Sequence, residues 1–211
     1  MRYSITDYQE GWEHLGILKT PADPHKLAQM FEAKIYGDRD GDGIRFWIPS
    51  LYILGGDIDT AKMYIDRYLE DYPDEYFLAA PQFIVSSLLI FIKTNKSCHI
   101  NSTGDKHLRK MQAANLYLLP IILGRDITDK KISNLTNHSH FEFAASFPQW
   151  FYDLWTNEDK EILAKASDTV FNNMFIKTIN EFRKELASLK PGQQRSDLIR
   201  EQDYFLSLMT Q

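Results

Sequence analysis

Two clusters in the chain combine residue types and spacings that could hold a metal ion. The first is Asp38-Arg39-Asp40-Gly41-Asp42-Gly43, with carboxylates on alternate residues and glycine at a sharp turn. Calcium, a hard cation that takes oxygen ligands, suits such an opening. An EF-hand loop then requires an apolar residue two beyond the glycine and a bidentate acid at its end. Those positions hold Arg45 and Pro49, so a structural acidic loop with Asp42 as a helix cap is the preferred reading. The second cluster, His138-Ser139-His140-Phe141-Glu142, places three ligand-type side chains on alternate residues. On a strand they would share a face; on a helix they would splay apart. Metal hydrolases of several folds use such an HxH pair on a strand, which defines the alternative function: a metal-dependent enzyme built on His138, His140 and Glu142 with distant acids. No partner strand is visible, and polar loop histidines explain the pattern more simply. Neither a metal nor a cofactor is assigned.

Other reactive constellations are missing from the sequence. There is no GxSxG, Cys98 lacks a papain-like context, and neither a P-loop nor GxGxxG occurs. No catalytic residue is assigned. Trp150, Phe151, Tyr152 and Trp155 could stack on bases or grip a peptide. Phe147 and Leu154 join them at helical spacing, which favours a core.

The elements that would position these residues are helical. Asp23-Pro24 is a cap followed by a first-turn proline, and Leu27, Ala28, Phe31 and Ile35 recur at helical spacing until Gly37. A buried helix is predicted within Ile44–Leu54, kinked by Pro49 or starting four or five residues beyond Asp42. Gly55-Gly56 ends it, and Asp57 or Asp59 caps a helix that closes at Tyr72-Pro73. A long apolar helix is expected from about Tyr76 to Lys93, and another from Asp105 to Leu118. The segment 159–189 forms one long helix or two, and Ser196-Asp197 caps a last amphipathic helix ending near Met209. No sustained period-two alternation occurs. The expected fold is all-α: one helical domain over 1–211, with an N-terminal extension (1–22), stacked helix pairs (23–125) and C-terminal helices (126–211).

The unit from about Asp42 to Glu75 has the 34-residue length of a tetratricopeptide repeat. Its features are Gly56 in the turn, Ala61 at the helix crossing, Pro73 after the second helix, Tyr52 as the first helix's aromatic and Ile48 as its apolar neighbour. Pro49 and Tyr68 depart from the pattern. A second closing helix is suggested by ANLYLLP. Over 42–125 the chain thus resembles tetratricopeptide-like proteins. The resemblance implies a superhelix of antiparallel helix pairs that offers a concave surface to a protein or peptide partner. By that resemblance the groove-facing positions are Phe46, Ser50 and Ile53. Members that clamp chaperone carboxylates carry Lys, Arg and Asn there, so a more apolar partner surface is implied here.

The chain has 211 residues, 44% hydrophobic and 25% charged, an ordinary globular mix. Its net charge of −5 argues against binding a phosphate backbone. A helical-repeat RNA binder would need a local basic face such as Lys106, Arg109 and Lys110. Cys98 is the single cysteine, so no intramolecular disulfide forms, in keeping with a reducing compartment. Residues 1–20 lack the pattern of a signal peptide. The apolar stretch Phe77–Ile92 is interrupted by polar residues and falls short of a membrane span. The glycosylation-like triplets at Asn95, Asn101, Asn134 and Asn137 then mark polar loops. A cytoplasmic or nuclear adaptor or scaffold is expected, non-enzymatic, with a homodimer seam along Leu198, Ile199, Phe205, Leu206 and Met209 as a further option.

Overall fold

The computed structural model describes residues 4–37, 43–72, 80–96, 103–127 and 139–210. All regular structure among them is helical. In chain order it comprises α1 (Ile5–Glu13), α2 (Pro24–Gly37), a 3-10 turn (Ile44–Phe46), α3 (Ile48–Leu54), α4 (Ile58–Asp71) and α5 (Pro81–Asn95). There follow α6 (Thr103–Ala114), α7 (Leu118–Leu123), α8 (Phe141–Ala145), α9 (Gln149–Asp153), α10 (Asn157–Ser167), α11 (Val170–Ser188) and α12 (Gln193–Thr210).

Local chemistry sets these boundaries. Asp23 accepts the Lys26 amide at 2.9 Å and starts α2. Pro49 occupies the first turn of α3, where its missing N–H costs nothing, so the helix begins at Ile48, after the 3-10 turn. Gly56 reverses the chain at φ +82, a left-handed conformation that glycine adopts cheaply. Asp57 then caps α4 by accepting the Thr60 amide at 3.0 Å. Ala61, on α4, is fully buried, and its small side chain lets α3 and α4 pack closely.

Several boundaries differ from the periodicity, and the choice left open over 159–189 is decided. The N-terminal extension contains α1, started by a reciprocal Ser4–Asp7 capping box. The helix expected to reach Leu118 stops at Ala114, because Asn115 accepts the Tyr117 amide at 2.8 Å and donates to the His140 carbonyl at 3.0 Å. That side chain offers the backbone a turn in place of another helical step. Segment 159–189 is two helices, α11 restarting at its own cap, Thr169, which accepts from Asn172 N at 3.2 Å. The last helix begins at Gln193, directly after Gly192, and Ser196 lies inside it.

α5 is the central element, buried along nearly its whole length and packed on α3, α4, α6 and α10. No described helix is long and apolar enough to cross a membrane. The other half of the core is aromatic. Trp47 is fully buried and lies 5.2 Å from Trp12, 5.5 Å from Phe147 and 5.6 Å from Phe151, ring centre to ring centre. Trp150 donates its indole N–H to the Ile17 carbonyl at 2.6 Å. The aromatic cluster at 147–155 is therefore core, as its spacing suggests.

α11 and α12 pack on each other and on α6. Phe205 sits 5.9 Å from Phe175 and 5.8 Å from Phe182. On α6, Arg109 pairs with Asp105 and donates Nε–H to the Met209 carbonyl in the last turn of α12. A cation there complements the negative helix end. Arg109 is buried, so Lys106, Arg109 and Lys110 do not form a solvent-facing basic stripe.

Candidate functional site

Between α6–α7 and α10–α11 lies a cleft of about 330 Å³, large enough for a small ligand or a few peptide residues. Several local features shape it. The Asn115 turn swings α7 away from the α6 axis. Gly124, at φ +64, ends α7, and the Arg125 amide bonds back to the Pro120 carbonyl at 2.8 Å. Across the cleft, the Thr169 cap fixes where α11 begins, which brings Asn172, Ile176 and Asn180 onto one face at four-residue steps.

Four carboxamides belong to the polar lining: Gln112 from α6, and Asn172, Asn173 and Asn180 from α11. Gln112 and Asn172 are only 1% and 2% exposed. The Oε1 of Gln112 and the Oδ1 atoms of Asn172 and Asn180 are buried without a hydrogen-bond partner. Asn172 donates one amide hydrogen to the Ser167 carbonyl at 2.8 Å, which fixes the side chain with its oxygen unpaired. A buried, unpartnered amide oxygen costs roughly 1–3 kcal/mol, a cost that a bound donor would remove.

At the mouth, Arg125 makes a two-pronged pair with Asp168, both contacts at 3.0 Å. The Ser167 hydroxyl is committed to the Ala164 carbonyl at 2.8 Å. One turn beyond Asn180, Arg183 is buried, and its Nη2 donates to the Ala113 carbonyl at 2.8 Å while Nε and Nη1 have no partner. Burial pulls its pKa down to about 10, against a smaller upward pull from Tyr117, so it stays charged at neutral pH.

The residues singled out in the sequence lie elsewhere. Ser50 has no exposed surface and donates to the Trp47 carbonyl at 2.8 Å; Ile53 is buried in the core. Phe46 is half-buried, its ring 6.1 Å from Tyr68 and 6.0 Å from Phe83. A partner reaching Ser50 or Ile53 must first open the packing around α3. Asp38, Asp40 and Asp42 lie outside the described residues, as do His138 and Cys98. His140 is the residue before α8, and Glu142 is in that helix's first turn, so the two do not share a strand face. Among the described residues no three His, Cys, Asp or Glu side chains gather into a metal site.

Periodicity does not point to the amide cleft. Its one trace is Asn172-Asn173 with Asn180 in α11, where asparagine is a poor helix former. That Gln112 faces them is visible only in three dimensions. No family model matches the chain, and neither a curated protein nor a solved structure does.

Proposed function

We propose that the chain is a non-enzymatic adaptor or scaffold that binds another protein or peptide through its helical surface. On this reading its helix pairs stack in a tetratricopeptide-like way, and it acts in the cytoplasm or nucleus. The observation that carries it is the chemistry of the cleft. A carboxamide gains or loses no proton near neutral pH and is no nucleophile. Beside the four of them Arg125 and Asp168 are paired and the Ser167 hydroxyl is committed, which supports recognition rather than bond making. The net charge of −5 favours a protein partner over nucleic acid.

Affinity purification from native extract at two salt concentrations tests the reading. A stoichiometric partner that survives high salt supports it. A bait with nothing attached but a full equivalent of zinc, iron or manganese favours the metal-dependent enzyme. Two other surfaces are tested alongside. Phe46→Ser with unchanged helical circular dichroism but no partner would extend the interface to the α3 face. Tyr204 and Leu208, one turn apart on α12, are 66% and 56% exposed. Leu208→Glu abolishes self-association if the homodimer runs along that helix.

A further inference from the structure

We propose that the cleft between α6–α7 and α10–α11 clamps the main chain of an extended, uncharged peptide segment of the partner. The inference rests on the adaptor reading and gives it a site and a ligand chemistry. Asn172, Ile176 and Asn180 rise along α11 in steps of about 6 Å, which places the two amide stations about 12 Å apart. An extended chain turns the same edge to one side at every second residue, so edges four residues apart recur at about 13 Å. Two hydrogen-bonding stations flanking an apolar one fit that repeat.

The unmet groups fit as well. Asn172 is anchored by one amide hydrogen on Ser167 and its oxygen has no partner, so that oxygen takes a peptide N–H. Gln112 reaches in from the facing helix, and its buried oxygen meets the opposite edge of the same segment. A peptide main chain presents N–H and C=O to both sides in alternation. Leu116, Leu119, Pro120 and Ile127 supply apolar walls for small side chains.

Charge selects a neutral segment. Arg125 and Asp168 neutralise each other at the mouth. Asp126 adds a further negative group to the lining. A phosphate or carboxylate would meet three buried acceptors and Asp126, and a lysine or arginine would give up its hydration for neutral amide oxygens alone.

The test is selection of a random heptapeptide library, displayed on phage, against the full chain. The best peptide is then made with a fluorescent label and N-methylated at each position in turn. Methylation at two positions four residues apart should weaken binding about tenfold or more, the value of a lost hydrogen bond. Asn180→Leu should lose a similar factor and make binding insensitive to one of those two methylations. Replacing an unpartnered oxygen should leave the fold intact; if it does not, the methylation scan on the unaltered chain decides. A charged consensus, or a methylation scan without paired positions, overturns the clamp. No enriched peptide, with a partner still captured from extract, overturns the clamp and leaves the adaptor reading standing. No peptide and no captured partner overturns both.

Discussion

Asp159 has no exposed surface and holds Lys93 at 2.7 Å while closing the Thr156 capping box at the start of α10. Burial alone would raise its pKa; the hydrogen bonds from Lys93 and Thr156 and the lysine charge together outweigh burial and hold it low. Lys93→Met strands that carboxylate, and urea unfolding should register a loss of about 3 kcal/mol. His107 behaves differently with acid. Burial, helped by the Lys110 charge, pushes its pKa down to about 4 from 6.5. Between those values the unfolded chain binds a proton that the folded chain refuses. Stability therefore falls by up to about 3 kcal/mol as pH drops from 6.5 towards 4, then levels off for this group. Thermal melts should show the slope, and His107→Phe should flatten it. Asp159 acts lower still: its contribution is present above the ordinary carboxylate pKa and is lost as pH falls below about 4. None of this is legible in the sequence, because Lys93 and Asp159 are 66 positions apart and no spacing rule joins them.

Helices declare themselves where capping and periodicity agree, as in α2 and α4, whose starts at Asp23 and Asp57 follow from residue type. They hide where a side chain competes with the backbone. Asn115 looks like one more turn of α6, yet its amide bridges Tyr117 and His140 and diverts the chain into α7. The cleft exists because of that break, so a reading that runs α6 through Leu118 has no cleft to find. At Gly56 the turn between α3 and α4 depends on positive φ rather than on space, since a Cβ there meets nothing within 4 Å. Gly56→Ala should cost about 1 kcal/mol of backbone strain in chemical denaturation, with the helix content unchanged. Arg109 is a different kind of hinge pin. Arg109→Met leaves Asp105 buried without its guanidinium and frees the end of α12. Hydrogen exchange should quicken along α12 well before it does in α5.

At the scale of the molecule, a hydrophobic cluster among the described residues runs from Leu15 to Ala166 on α10, and Trp47 sits within it. The all-helical class and the core role of residues 147–155 follow from composition and spacing alone, since apolar periodicity needs no knowledge of partners. What joins α1 to α9 does not follow. Trp47→Ala removes the ring that Trp12, Phe147 and Phe151 enclose, and a loss of about 4 kcal/mol in denaturant unfolding is expected.

The bond from Trp150 to the Ile17 carbonyl closes over 133 positions, and that span bears on synthesis. A chain leaving the ribosome exposes its earlier residues first, so Ile17 waits 133 residues for its partner. Until residues 147–151 have emerged, Trp12 lacks the Phe147 ring and Trp47 lacks the Phe147 and Phe151 rings that they pack against. The nascent chain therefore carries an unfinished aromatic core over that interval, with apolar rings open to other surfaces.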